Sequence, residues 1–135
     1  MKNFKFIIVF NLIFLLTSCV TNDMRNNNFV SVVPQKTPAD LVGNWTGSMS
    51  AWLVTFRIQN NGEGIYCYSG STSNGLQKIK YSTNQLLIQD GTKFDIQSIQ
   101  ENNLNLKAPY FGVSAHSLFK DDKLNEASVF CAEQL

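Results

Sequence analysis

One histidine, three prolines and three cysteines stand among 135 residues, and charged side chains make up only 16% of them. Each scarcity removes a class of function. The lone imidazole, His116, leaves no histidine cluster for zinc. Asp121, Asp122 and Glu126 lack the Asp-x-Asp-x-Asp-Gly spacing of a calcium loop, so no metal and no other cofactor is expected. Ser114 and Ser117 flank His116, yet no Gly-x-Ser-x-Gly elbow accompanies them, and a single histidine on a strand is ordinarily structural. No enzyme is expected. Eleven Lys plus Arg nearly balance ten Asp plus Glu, and no basic run gathers them, which leaves nucleic acid nothing to hold. The longest apolar run, Phe6 to Leu16 with Asn11 inside it, is about half the length that crosses a bilayer.

That run has another use. Lys2 and Lys5 precede it and small residues follow, the layout of a secretory signal. Leu16-Thr17-Ser18-Cys19 resembles the lipobox of bacterial lipoproteins. The resemblance implies cleavage before Cys19, acyl chains on that cysteine and a membrane as the first partner. One chain gives marginal binding and stable anchoring takes a second signal, so the three chains implied should hold permanently. Val20 stands where an aspartate would resemble the inner-membrane retention signal. The implied address is the outer membrane, lipid-anchored, on its periplasmic face. Losing Lys2 and Lys5 with the signal would turn the formal net charge of +1 into −1. The organisation expected is a signal peptide over residues 1–18, a lipidated cysteine and flexible tether over 19–38, and one domain over 39–135.

The tether reading rests on an Asn-rich stretch without sustained period, interrupted by Phe29-Val30 and Val32-Val33, which either dock on the domain or stay exposed. From Leu41 onward the chain alternates. Trp52, Val54, Phe56 and Ile58 share one face, Asn60 to Gly64 reads as a turn, and Ile65 to Tyr68 returns. Ser69 to Gly75 is a polar loop. Strands follow at Leu76 to Tyr81, Gln85 to Gln89, Lys93 to Ile99 and Leu104 to Lys107, with turns at Thr83-Asn84, Asp90-Gly91 and Glu101 to Asn103. Val113 to Lys120 makes the last strand, and Asp121 to Ser128 is the one stretch suited to a helical turn. Eight short strands at this spacing predict an all-β fold, a small antiparallel eight-stranded barrel.

With Cys19 taken by lipid, Cys67 and Cys131 remain. In an oxidising compartment the pair reads as one disulfide, the alternative being two free thiols. Cys67 shares a face with Ile65, so its sulfur is expected to point into the core.

Leu41-Val42-Gly43-Asn44-Trp45-Thr46-Gly47 opens the first strand. Its Gly-x-Trp resembles the signature of lipocalin-like barrels, which implies a tryptophan at the barrel floor, a glycine allowing close backbone approach, and a small apolar ligand. Tyr66-Cys67-Tyr68, Lys80-Tyr81 and the late Cys131 are similar in layout to the membrane-bound inhibitors of C-type lysozyme. The inhibitory segments of that family have no counterpart here, so this resemblance implies architecture alone. The many aromatics read first as core. Tyr110-Phe111, after Pro109 and before Gly112, form the candidate binding loop. The function expected is a non-enzymatic envelope binding module for a protein or envelope component, with a lipocalin-like carrier of an apolar ligand as the alternative. Replacing Cys19 with alanine should release the protein to the soluble fraction and abolish acyl labelling; unchanged fractionation refutes the anchor.

Overall fold

The computed structural model describes residues 26–109 and 114–135. Cys19, the signal segment, Tyr110 and Phe111 lie outside the described residues. Eight strands form one closed antiparallel barrel in which each strand pairs with the next and the last returns to the first. They are β1 (Gly43–Met49), β2 (Trp52–Ile58), β3 (Glu63–Ser69), β4 (Asn74–Ser82), β5 (Gln85–Ile88), β6 (Lys93–Gln100), β7 (Asn103–Lys107) and β8 (His116–Lys120). A short helix, α1 (Val129–Gln134), ends the chain. The expected barrel and strand order stand.

Alternation decides which side chains fill it. Trp45, Val54, Phe56, Ile58, Ile79, Leu86, Ile88, Phe94, Ile96, Leu104, Leu106 and Leu118 form the buried core. In the ladder Trp45 pairs with Phe56 and Phe56 with Tyr66, so the inward residues of neighbouring strands sit side by side. The pattern slips in β6, where Ile96 pairs with Leu106 and Ile99 with Leu104, two steps on β7 against three on β6. A bulge at Gln97 and Ser98 absorbs the extra residue, so that Ile99 still packs against the core.

The floor is built by the opening motif. Trp45 is fully buried and donates its indole N–H to the Leu41 carbonyl at 2.8 Å. Lys120, opposite it on β8, holds its ammonium 4.5 Å from the ring centroid and donates to the Val42 carbonyl. Gly43 has φ +128°, a conformation that strains any other residue, and a Cβ there would also displace the Lys120 ammonium and the Asp122 carboxylate. Asn44 faces outward and ties the tail: its backbone N–H donates to Asp122 at 3.0 Å, and its carbonyl accepts from the Asp121 N–H at 2.8 Å.

Four local expectations change. The loop between β3 and β4 is only Gly70 to Ser73, because Ser69 pairs with Asn74 and Tyr68 with Gly75. A side chain at Gly75 would collide with the Tyr68 hydroxyl, so glycine lets that ring lie across the strand. The last strand starts at His116, not Val113, with Ser114 and Ala115 exposed and irregular. The helix lies after the stretch suited to it. Asp121 accepts the N–H groups of Asn125 and Glu126 at 2.8 and 3.2 Å and holds that segment in turns, and Ser128 then caps α1 by accepting from the Cys131 N–H.

The fourth change concerns Cys67. The disulfide to Cys131 is present, with Cα atoms 5.8 Å apart and a sequence separation of 64. Cys67 is fully buried, yet it points out of the barrel, since Tyr66 and Tyr68 on either side of it pack against the core. It lies in a row with Thr46 and Thr55, paired across β1, β2 and β3. The tail covers this row: Thr46 donates to Asp121 at 2.9 Å and shares a 2.9 Å hydrogen bond with Thr55. Replacing Cys131 with serine frees α1 from the wall and should lower unfolding stability by about 2–5 kcal/mol. Denaturant unfolding of oxidised wild type and variant measures the difference.

Candidate functional site

The two ends of the barrel differ. Leu41, Trp45 and Lys120 seal the floor, together with the turns Gln59 to Gly62, Thr83-Asn84 and Glu101-Asn102. Among the described residues the rim is formed by Ser50-Ala51, Gly70 to Ser73, Gln89 to Thr92, and the ends of β7 and β8 at Ala108 and Ser114. Side chains of zero exposure, among them Trp45, Val54, Phe56, Leu86, Leu104, Leu106 and Leu118, fill the body between. A void large enough for water would leave these side chains partly exposed, so among the described residues the middle of the barrel is filled.

Toward the rim the filling becomes aromatic and half-exposed. Phe94 meets Phe56 edge-on at 5.9 Å, Phe56 meets Tyr66 at 4.8 Å, Tyr66 meets Tyr68 at 5.6 Å, and Tyr68 meets Trp52 edge-on at 5.4 Å. These separations match those of favourable ring pairs. The row climbs from mid-barrel to the β1–β2 turn, with Trp52 beside Gly70 and Tyr68 over Gly75. Beside it on β4, Gln77 donates to the Asp90 carboxylate at 3.3 Å and accepts the Asp90 N–H at 3.1 Å, which brings a carboxylate to the rim. Burial pushes the Tyr66 hydroxyl up to about 12, with the Asp90 charge and then Tyr68 adding to it. The rim thus offers three large rings with polar edges, a surface suited to a ligand or partner that is part apolar and part polar.

The residues singled out beforehand fare differently. Cys67 and Cys131 are joined, away from the rim on the outer wall. Tyr110 and Phe111 lie outside the described residues, although the β7–β8 connection that contains them springs from the rim beside Ala108 and Ser114. His116 is half-buried and paired with Leu106 on the inward side; Ser117 faces out and donates to Asn105 at 2.6 Å, so the two do not form a hydrogen-bonded pair. Among the described residues no group of three or more His, Cys, Asp or Glu is placed to hold a metal ion.

Sequence reasoning missed that Trp52, Tyr66 and Tyr68 share one end of the barrel. The signal was present, because up-and-down threading of successive hairpins puts the start of β2 and the end of β3 at the same rim.

A further feature is external. Residues 26–38, read as tether, lie along the wall from rim to floor. Asn27 donates to the Gln89 carbonyl at 3.0 Å, Gln35 N–H to Tyr81 at 2.8 Å, and the Thr37 hydroxyl to Gln59 at 2.6 Å. Lys80 clamps this arm, donating to the Phe29 and Val32 carbonyls at 2.7 and 2.8 Å with its ammonium 4.6 Å from the Phe29 ring centroid. Phe29 is buried, and a cleft of ≈ 630 Å³ opens beside it along β3 and β4.

Because Tyr66 ionises less readily when folded than at its ordinary value of 10, the unfolded chain releases that proton first as pH rises. The Tyr66 contribution to stability should be constant below pH 10 and be lost between 10 and about 12. Tyr66→Phe should remove this contribution, and denaturant unfolding of both proteins across that window checks it.

A family model described as the bacterial lipocalin LPS transport optimiser YedD matches residues 26–135, a span that takes in arm, barrel and tail. No curated protein and no solved structure matches the chain.

Proposed function

The chain belongs to the YedD family of bacterial lipocalins, and on that premise we propose that it is a non-enzymatic, lipid-anchored envelope protein that supports lipopolysaccharide transport by binding a protein or envelope component at its rim. The observation carrying this reading is the contrast between a solid body and a ring-lined rim. A carrier of acyl chains needs a hollow, and side chains of zero exposure occupy the place where it would be. Recognition is left to the surface, where Trp52, Tyr66 and Tyr68 supply the aromatic area that dominates binding energy in protein contacts. The lipobox, Cys19 and the periplasmic face of the outer membrane belong to this proposal, as does the role of Tyr110 and Phe111 in the connection that leaves the rim.

The nearly balanced charge fits the same reading. With ten acids against eleven bases the chain lacks the strong field that would steer it to polyanionic sugar phosphates. Contact with a proteinaceous component of the transport route is therefore favoured over direct capture of the glycolipid.

Two measurements test the proposal. Native mass spectrometry of protein taken from the envelope should show no stoichiometric lipid within the barrel; a co-purifying acyl ligand would establish the carrier instead. In-cell crosslinking from Ala51, exposed on the rim next to Trp52, should capture a defined envelope protein. The double variant Trp52→Ala, Tyr68→Ala should keep the fold, lose that capture by about tenfold or more, as expected for two anchor residues at roughly 1–2 kcal/mol each, and slow lipopolysaccharide delivery. Normal capture and delivery by a folded variant would overturn the assignment.

A further inference from the structure

The arm presents apolar side chains to solvent without an intramolecular reason. Val30 is 93% exposed and Val33 78%, whereas Phe29 between wall and arm is buried. On the same wall Leu76 is exposed and the cleft beside Phe29 is lined by Val30, Ile65, Lys78 and Lys80. Scattered exposed valines are ordinary, but the position of these two is not arbitrary. They lie on the first described segment after Cys19, and the arm enters at the rim, where Asn27 is bonded to Gln89.

Covalent geometry then limits where this wall can be. Seven Cα steps separate Cys19 from Asn26, and at 3.3–3.6 Å each they reach about 25 Å at most. A lipid on Cys19 therefore keeps the arm and the rim within a barrel's width of the bilayer, while the wall of β8 and β1, four strands away in the closed order, is the side that can turn from it.

We propose that the arm wall lies on the phospholipid head-group surface of the membrane that holds Cys19, with Val30 and Val33 as the contacting side chains. This rests on the lipid anchor of the proposed function. The contact itself is weak, and tethering makes it effective by raising the local concentration of lipid surface. Its chemistry is chiefly apolar. Lys36 and Lys78 are exposed on this side and half-buried Lys80 adds a third cation, against exposed Glu63 and Asp90, so the wall is only slightly positive and the contact should largely resist salt. The arm is held by Lys80 and by backbone hydrogen bonds, not by the valines, which leaves them free to meet lipid. The consequence is orientation: the barrel lies with its rim beside the membrane and its aromatic row open sideways.

The test uses the full lipidated chain in vesicles of phosphatidylethanolamine and phosphatidylglycerol, with the photocrosslinker benzoylphenylalanine placed singly at Val30, Val33 or Phe119. Phe119 is 57% exposed on β8 and serves as the far-wall control. Flotation reads the anchor separately from docking. Expected are floating protein, lipid adducts at positions 30 and 33 at least fivefold above position 119, and no loss of these adducts in high salt. Floating protein with equal adducts at all three positions, or with protein–protein adducts at 30 and 33 in place of lipid, overturns the docking while sparing the anchor. Protein that fails to float overturns both. The pair Val30→Asp, Val33→Asp, read from a crosslinker at Asn28, should still float and lose most lipid adducts; unchanged adducts count against the proposal.

Discussion

Everything in this protein depends on closing the sheet. Seven of the eight strand contacts join neighbours in sequence through turns or one rim connection, and those are local to form. The eighth, β1 to β8, is short: Trp45 faces Lys120 and Thr46 faces Phe119. Around it the chain concentrates its least replaceable chemistry. Trp45 fills the floor, Lys120 spans from its ring to the Val42 carbonyl, and Gly43 makes room for that lysine. Asn44 near the start of β1 is tied to the residues just beyond β8, accepting from the Asp121 N–H and donating to the Asp122 carboxylate. A barrel without this seam would be a curled sheet with two unpaired edges, open to pairing with other chains.

Two outer layers complete the structure, and each is fastened at a different place. The tail crosses β1 to β3 over Thr46, Thr55 and Cys67 and is bolted by the disulfide. The arm crosses β4 and β5 and is held by Lys80. Lys80 and Lys120 act alike, each setting its ammonium near 4.5 Å from an aromatic centroid while donating to carbonyls. Burying polar groups under the tail is tolerable because they are paired there: Asp121 accepts from Thr46, Asn125 and Glu126.

This arrangement bears directly on function. A lipocalin-like barrel invites the idea of cargo, but here the inner volume is spent on Trp45, Phe56 and Phe94. What the molecule has to offer lies on its surface, where the aromatic row reaches the rim and the arm lies along one wall. Family membership and the closed barrel make this a lipocalin-like protein, and the filled interior is what supports the proposal that its partners meet its outside.

The chain by itself determined the strand count, the turns and the pairing of its two late cysteines. Those features follow from short-range chemistry: period-2 alternation at Trp52 to Ile58, residues tolerant of positive φ at Asn84 and Gly91, and two cysteines left to pair once a lipid takes Cys19, as proposed. Tertiary structure alone decided which buried residues are interior. Cys67 is as buried as Trp45, and no local pattern separates them, because burial under a tail comes from segments some 60 positions away. The same holds for residues 26–38, whose polar, aperiodic composition reads as linker until Lys80, Tyr81 and Gln59 provide partners for its backbone and side chains. The aromatic row was half legible, since its residues are evident but their common end depends on the threading of every hairpin. Local sequence carries the period of a strand, whereas which face is covered, and by what, is settled only when distant segments compete for the same surface.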